Sequence, residues 1–288
     1  MSKEITADMV KKLREITGVG MGKCKEALKE AGGDMDAAID HLRKAGVASA
    51  VKKGSREANE GTVGFAQNDS AIALLEVNAE TDFVTQNEMF KEFVADAVQT
   101  ALESNISSVE NLKNEAFGKT EKTIEEKRAE LVLSLGENIQ LRRLLLHPKK
   151  ENHSYGIYSH MGGKIVALVE ISGSSEKGDL ARDVAMHVAA EAPDYLEPKD
   201  VPENIKEKEK EIAKSQIPAG KPENIVEKIL EGKLKTFYEA SCLKQQKFIK
   251  DTSQTVSDFV KSVDKNLEVT GFVRWQVGEE EKNPLLTL

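Results

Sequence analysis

The sequence has few cysteines and no long apolar run. Its 288 residues include two cysteines, Cys24 and Cys242, which lie far apart and form no CxxC spacing. We therefore expect neither a disulfide framework nor a zinc site. The longest apolar runs, such as residues 165–169, have the length of a strand and not of a bilayer span. Because the first residues also lack the apolar stretch of a signal peptide, we expect a cytoplasmic protein with no membrane contact.

The sequence also lacks the short motifs of common enzymes. The phosphate-binding patterns GxxxxGK[ST] and GxGxxG do not occur in it, and neither do GxSxG and HExxH. Five histidines are scattered along the chain. His187 lies in a largely apolar helical segment, where a hydrogen-bonded core histidine is a simpler interpretation than a metal ligand. We therefore expect no catalytic residue, no metal and no cofactor.

Basic residues are outnumbered by acidic ones. The chain has 41 Lys and Arg against 49 Asp and Glu, which gives a formal net charge of −8. Sequence-independent binding to a phosphate backbone depends on Lys and Arg, so direct binding to nucleic acid is not expected. The acidic balance suits a soluble protein whose partners are other proteins.

Residues 1–45 show the pattern of a compact three-helix module. Apolar residues recur at helical spacing in three segments, which glycines separate and which Thr6 and Asp34 open as N-caps. The first apolar face consists of Met9, Val10, Leu13 and Ile16. Cys24 falls on the second face and is predicted to be a small core residue. Met21 lies in the glycine-rich turn, outside any helical period, and is either an exposed docking residue or a residue that closes the small core.

The remainder of the chain predicts an α+β fold. Residues 46–59 are rich in Ala, Ser and Lys and are expected to form a flexible linker. Residues 60–146 and 147–288 each open with a β-hairpin followed by a helix, so we expect two related α+β halves with antiparallel sheets. Residues 194–236 interrupt the second half with charged helices that carry narrow apolar seams. This pattern predicts a projecting helical hairpin that makes a coiled-coil contact in a homodimer.

One connection between a strand and a helix has an unusual composition. A short apolar run over residues 70–78 predicts a buried strand, and Asn87 is placed to cap a helix with one apolar face. Between them, Phe83 and Val84 fit neither period. Such connections lie at the surface. Phe83 is therefore either a staple that packs under the next helix or a probe that is offered to a partner.

Several stretches of the chain, in this order, resemble the elongation factor Ts family. They are Leu13-Arg14-Glu15 with Thr17-Gly18-x-Gly20-Met21, Cys24-Lys25-x-Ala27-Leu28, Gly33-Asp34, Glu76-Val77-Asn78-x-x-Thr81-Asp82-Phe83-Val84, Gly136-Glu137-Asn138-Ile139-x-x-Arg142-Arg143, Ala185-Met186-His187-Val188-Ala189-Ala190, Gly220-Lys221-Pro222 and Gly271-Phe272-Val273-Arg274. The first stretch resembles ubiquitin-associated folds in general, whereas the ordered set is specific. Only nine residues follow Glu279, so we expect the further C-terminal helix of some family members to be absent.

The resemblance implies a guanine-nucleotide exchange factor for elongation factor Tu, which acts in bacterial-type translation without covalent chemistry. It implies that one loop approaches the Mg²⁺ and phosphate site of the partner, and that loop consists of Thr81, Asp82, Phe83 and Val84. Further partner contacts are implied at Arg14, Gly20, Met21, Gly136, His160, Phe248 and Ile249. The charged hairpin at 194–236 matches the dimerisation element of the family.

Two other functional classes remain open at this point. Residues 1–45 alone could be a ubiquitin-associated binding adaptor, which would have affinity for ubiquitin and none for a GTPase. The chain could also be an enzyme that uses His160 or His187, and its turnover would then need no GTPase. The rate of GDP release from elongation factor Tu, measured with and without the protein, separates these classes.

Overall fold

A computed structural model describes residues 5–118, 120–218 and 221–279. The chain forms two compact units, Met1–Lys149 and Lys150–Leu288. Gly220, which belongs to one family-like motif, and the nine residues after Glu279 lie outside the described residues. Both units combine helices with antiparallel sheets, so the fold is α+β, as predicted.

The first unit contains seven helices and three strands among its described residues. In chain order these are α1 (Ala7–Thr17), α2 (Met21–Glu30), α3 (Met35–Lys53), β1 (Glu60–Gln67), β2 (Ala71–Ala79), α4 (Asp82–Thr85), α5 (Glu88–Glu103), α6 (Val109–Leu112), α7 (Ile124–Leu135) and β3 (Ile139–Pro148). The strands form one antiparallel sheet in the order β1-β2-β3. Strand β2 is buried along its whole length, as its apolar sequence predicts.

The first three helices pack around a small core. Thr6 and Asp34 accept hydrogen bonds from the backbone N–H groups of Met9 and Ala37, which confirms both predicted N-caps. Cys24 is fully buried and its Sγ lies 3.2 Å from the Val19 carbonyl oxygen, so its predicted core position is also confirmed. Ile16 differs from expectation. It is 55% exposed although its spacing places it with the core face of α1.

The predicted linker at 46–59 is wrong over its first part. Helix α3 continues to Lys53, because its second half packs on α7 of the same unit. At Gly46 the two helices are so close that an added Cβ would lie 3.1 Å from the Ala129 carbonyl oxygen. The core of the first three helices also includes Leu133 of α7. The first three helices are therefore part of the first unit and not a separately tethered module.

The second unit contains four helices and five strands among its described residues. In chain order these are β4 (His153–His160), β5 (Ile165–Ser172), α8 (Gly178–Glu191), α9 (Glu203–Ser215), α10 (Glu223–Ser241), β6 (Lys247–Phe248), β7 (Asp251–Thr255), α11 (Val256–Val263) and β8 (Glu268–Gln276). Short 3-10 turns occur at Met161–Gly163 and Pro198–Asp200. Strands β4, β5 and β8 form an antiparallel sheet with β5 in the middle.

Helices α9 and α10 contact each other and correspond to the predicted hairpin at 194–236. Their boundaries differ from that prediction, because α10 continues to Ser241 and ends next to the buried Cys242. Most of their surface is exposed, and the only buried residues in them are Ala213 and Ser241 among the described positions. None of the described helices is both long and apolar enough to cross a membrane.

Candidate partner-binding site

The connection from β2 to α5, residues 80–86, forms a short helical turn that we call the α4 turn. Strand β2 delivers the chain to it, and Asn87 ends it by capping α5 through a 2.9 Å bond from the Met89 N–H. Residues 82–85 are helical, so the predicted loop is in fact one ordered turn. The Thr85 hydroxyl donates to the Asp82 carbonyl oxygen over 2.8 Å and closes it.

The root of the α4 turn is fixed to the segment that follows α7. The Thr81 backbone N–H and hydroxyl both donate to the Glu137 carboxylate, over 3.0 and 2.6 Å. In return, the Glu80 carboxylate accepts from the Asn138 backbone N–H over 2.6 Å and from Arg56 over 3.3 Å. Hydrogen bonds to charged groups are stronger than those between neutral groups. Both residues that lead into the turn are therefore held on either side.

Gly136 precedes this bracing segment and is exposed. It ends α7 in the left-handed conformation, with φ of 84°, as its position after the helix predicts. Its carbonyl oxygen accepts a 2.6 Å hydrogen bond from the Lys53 ammonium group. Burial lowers the pKa of Lys53, and the positive charges of Lys23 and Arg56 lower it further. Gly136 is thus brought close to the α4 turn, which the sequence separation of the two does not show.

The α4 turn presents an aromatic ring and a carboxylate to solvent. The Phe83 side chain is 85% exposed, so it is not a staple under α5. Asp82 is also exposed, and its carboxylate has no hydrogen bond or ion pair within the described part of the chain. Val84 is 7% exposed and packs in the core of the first unit. Its side chain is therefore an anchor, which corrects the prediction that it reaches a partner.

Glu80 and Glu137 were not identified from the sequence as functional residues. Both lie within family-like stretches, but their role depends on a contact between positions 56 residues apart. A signal was available in principle, because Glu137 directly follows the helix-ending Gly136 and is polar where the chain turns into a strand. Nothing in the local pattern indicates which backbone donor it faces.

The three predicted contact residues of the first helices are all exposed. Arg14 lies in α1, Gly20 is the N-cap of α2, and Met21 is the first residue of α2 with 42% of its surface exposed. Met21 therefore belongs to a helix, which corrects its assignment to the loop, and its exposure argues against a role in closing the core. No hydrogen bond or ion pair of the described residues connects these three to the α4 turn.

In the second unit His160 lies at the tip of the β4–β5 hairpin. It is exposed and stacks on Tyr158, with ring centroids 6.1 Å apart. The next residue, Met161, is 71% exposed and has a φ of 50°, a conformation that is uncommon for a residue with a side chain. Met161 was not predicted as a site residue. The tip thus offers an imidazole and a thioether side by side.

The structure corrects the prediction for Phe248. Its ring is 1% exposed and stacks on Phe259 with centroids 4.0 Å apart, so it belongs to the core of the second unit. Its neighbour Ile249 is 40% exposed and remains available to a partner. The sequence predicts an apolar pair at 248–249, but only the tertiary packing determines which member faces inwards.

His187 holds this segment from below. It is fully buried, with Nε2 3.0 Å from the Gln246 side-chain oxygen and Nδ1 accepting a 3.2 Å bond from the Ile249 N–H. Burial lowers the pKa of His187. This confirms the interpretation of His187 as a hydrogen-bonded core histidine. The described residues contain no group of three or more His, Cys, Asp or Glu that could hold a metal ion.

Comparisons with known proteins place the chain. The family model described as "Elongation factor TS" matches residues 80–279. The elongation factor Ts of Protochlamydia amoebophila is 52% identical over 280 residues, which cover 96% of this chain and 99% of that protein. Those of Chlamydia muridarum and Chlamydia trachomatis serovar L2 are each 41% identical with the same coverage. The chain therefore belongs to the elongation factor Ts family.

Proposed function

We propose that this protein promotes the release of GDP from elongation factor Tu by inserting the α4 turn near the Mg²⁺ and phosphate site of the partner. The observation that carries the proposal is Phe83, an aromatic residue that is 85% exposed on a turn whose root is held by hydrogen bonds. An exposed aromatic on an ordered turn gains nothing for folding. It is suited to burial against a second protein.

The proposed exchange requires no covalent chemistry from this chain. A factor that binds the nucleotide-free partner more tightly than the loaded one weakens the bound nucleotide by the same factor. Each tenfold weakening requires about 1.4 kcal/mol of differential contact. Phe83 supplies apolar area as a wedge. The Asp82 carboxylate, which has no partner within the described part of the chain, supplies a negative charge that competes for the surroundings of the cation.

The experiment is stopped-flow release of a fluorescent GDP from elongation factor Tu. Phe83→Ala should lower the stimulated rate at least tenfold, and more than Asp82→Asn does. Its free energy of unfolding should fall by well under the roughly 3–5 kcal/mol of a core phenylalanine. Phe65→Ala is the matched control, because Phe65 is also exposed, at 44%, but lies on β1. Normal release by Phe83→Ala would remove the α4 turn from the mechanism.

We further infer that the first three helices, as a ubiquitin-associated-like module, dock on the nucleotide-binding domain of the partner. Exposed Arg14, Gly20 and Met21 support this role. Met21→Ala should weaken the complex in a titration and leave the melting temperature unchanged, because the side chain is outside the module core. Binding of normal strength would exclude Met21 from the interface.

The surface at the hairpin tip and the exposed Ile249 are proposed as additional contacts of the second unit with the partner. Gly136, which is exposed beside the α4 turn, is proposed to extend the contact of the first unit. His160→Ala and Ile249→Ala should each weaken the complex in the same titration. Unchanged affinity in either variant would remove that residue from the interface.

We also propose that α9 and α10 form a self-association element. Ile212 and Ile225 are 43% and 40% exposed on these otherwise charged helices, which supports contact with a second copy. A double Ile212→Lys and Ile225→Lys variant should lower the mass found by sedimentation and keep the exchange rate. An unchanged mass would contradict self-association through this hairpin. As a translation factor, the protein is proposed to act in the cytoplasm.

A further inference from the structure

Two helices of the first unit enclose a cavity of about 170 Å³ that the exchange activity does not use. Helix α5 contributes one face at spacing i, i+3, i+4 and i+7, and α7 contributes a face at the same spacing. These two faces consist of Met89, Glu92, Phe93 and Asp96 on α5, and of Lys127, Glu130, Leu131 and Ser134 on α7. Thr17 and Phe117 complete the lining.

The floor of the cavity is apolar and has the size of one ring. Phe93 and Phe117 stack with ring centroids 5.7 Å apart and an interplanar angle of 14°. Met89 and Leu131 add apolar surface. A cavity of about 150 Å³ with such a lining is sufficient for one benzene molecule. The volume therefore admits a single six-membered ring and little more.

The rim of the cavity carries unpaired negative charge. Its one cation, the Lys127 ammonium group, lies 3.7 Å from Glu130 and 5.8 Å from the Phe117 ring centroid. Glu130 also receives a 2.5 Å bond from Lys122. Glu92 and Asp96 are exposed and have no hydrogen-bond or ion-pair partner for their carboxylates within the described part of the chain. They lie four residues apart on one helix face, so both can approach the same cation.

A buried hydroxyl inside the cavity also has no partner. The Ser134 Oγ exposes less than 1 Å² and makes no hydrogen bond within the described residues. A buried polar group without a partner is costly, so this hydroxyl requires a bond from water or from a bound molecule. Its position on α7, one turn from Leu131, places a hydrogen-bonding group beside the apolar floor.

We propose that this cavity, named here the α5–α7 cavity, binds a monocyclic arylalkylamine. The ring would stack in the apolar floor, and the ammonium group would lie at the rim between Glu92 and Asp96. A hydroxyl on the ring would pair with Ser134. A cation beside two carboxylates and aromatic faces is favoured by both charge and the ring quadrupoles. The site is independent of the exchange proposal, because none of its lining residues belongs to the α4 turn.

The test is an NMR titration of the full-length protein with phenethylamine, which is protonated at neutral pH. Saturable shifts of α5 and α7 amides are expected, with a dissociation constant on the order of a millimolar for so small a ligand. The neutral isostere 2-phenylethanol and the anion phenylacetate should bind at least about tenfold more weakly, which corresponds to the loss of a charge-assisted contact. Tyramine should bind more tightly than phenethylamine because it carries the ring hydroxyl.

Variants locate the ligand. The double variant Glu92→Gln and Asp96→Asn should weaken phenethylamine about tenfold and leave 2-phenylethanol unchanged. Glu103→Gln is the matched control at the far end of α5, and it should keep full affinity. Ser134→Leu, which fills the cavity, should abolish binding of every probe. Two results would each overturn the proposal: no saturable shift up to about 20 mM, or equal affinity for the amine and the alcohol.

Discussion

The middle strands of the two sheets share a buried glutamate at the same structural position. Glu76 of β2 is fully buried and Glu170 of β5 is 1% exposed. A β-bulge follows each of them, between Glu76 and Val77 in one sheet and at the equivalent step after Glu170 in the other. The bulge re-aims the strand and is a designed feature, not a defect. Its repetition supports the interpretation that the two halves are related.

A glycine is repeated in the same way. Gly64 of β1 pairs with the residue before Glu76, and Gly156 of β4 pairs with the residue before Glu170. At each glycine the following helix lies against the sheet. An added Cβ would be 2.6 Å from the Val94 side chain in the first unit and 2.1 Å from the Ala181 backbone in the second. The frame that packs helix on sheet is thus common to both units.

The exposed parts of the two units differ. The first unit displays Phe83 after its middle strand, and its β1–β2 turn is polar, closed by Asn68. The second unit displays Met161 at its hairpin tip, and polar residues 173–177 follow its middle strand. The comparison teaches that a conserved packing frame can carry its partner-seeking residues at different corners. Four variants or pairs of variants test how far the likeness extends.

The largest effect is expected at the buried glutamates. In Glu76→Ala the nearly buried Arg143 loses the carboxylate that its Nε contacts at 2.6 Å. The free energy of unfolding should fall by about 3–5 kcal/mol. Glu170→Ala should cost about 1–2 kcal/mol, because its partner Lys150 is half exposed and can turn to water. Urea unfolding of both variants measures the difference, and equal losses would show that the two networks are energetically alike.

The two glycines give the next effect. Gly156→Ala should lower the free energy of unfolding by about 3 kcal/mol, because the added methyl group meets the backbone of α8. Gly64→Ala should cost about 1 kcal/mol, because it meets only a side chain. Val94→Ala should then compensate part of the Gly64→Ala loss in a double-mutant cycle. If the cycle shows no coupling, α5 does not pack on Gly64 as the structure has it.

The connections after the middle strands separate function from packing. Glu137→Ala removes both bonds to Thr81, and under the proposed exchange role the GDP release rate should fall about tenfold, which corresponds to 1.4 kcal/mol. Ser154 holds the equivalent connection of the second unit by donating to Ser174 and accepting from Lys177. Ser154→Ala should lower the melting temperature and leave release unchanged. A similar loss of release in both variants would make bracing of either connection equally important.

The smallest effect concerns pH. Burial lowers the pKa of His187 below its ordinary value of 6.5, so the unfolded chain takes up the proton first. His187 therefore contributes its full stability above pH 6.5, and this contribution declines as the pH falls below that value. His187→Gln should remove this part of the decline in melting temperature. Helix α5 contains no histidine, so no such dependence is expected from its packing. Identical pH profiles of the two proteins would contradict the buried neutral imidazole.

Local chemistry could be predicted from the sequence. The caps at Thr6, Asp34 and Asn87 follow from residue type and position, and the structure confirms each one. The capping box of Thr123 and Glu126 is confirmed as well. These signals involve side chains within three residues of the helix start. The alternating and helical periods of β2 and α5 are similarly local, and both elements occur where they were predicted.

Tertiary neighbours decide the rest. Helix α3 extends into the predicted linker because α7 covers it, and no residue of α3 itself indicates that cover. Which apolar residues turn outwards is undetermined by spacing, as the exposed Ile16 and the buried Phe248 show. The clamp of Glu137 on Thr81 joins positions that are distant in the chain.

The bracing of the α4 turn has a kinetic consequence. Hydrogen bonds from Thr81, Asn138 and Arg56 already order the root of the turn in the free protein. Docking then immobilises little additional backbone, so the entropy cost of association is small there. Association can proceed as the encounter of two preformed surfaces, in the range of about 10⁵–10⁷ M⁻¹s⁻¹. The lifetime of the complex, and not the speed of its formation, is then what Phe83 controls.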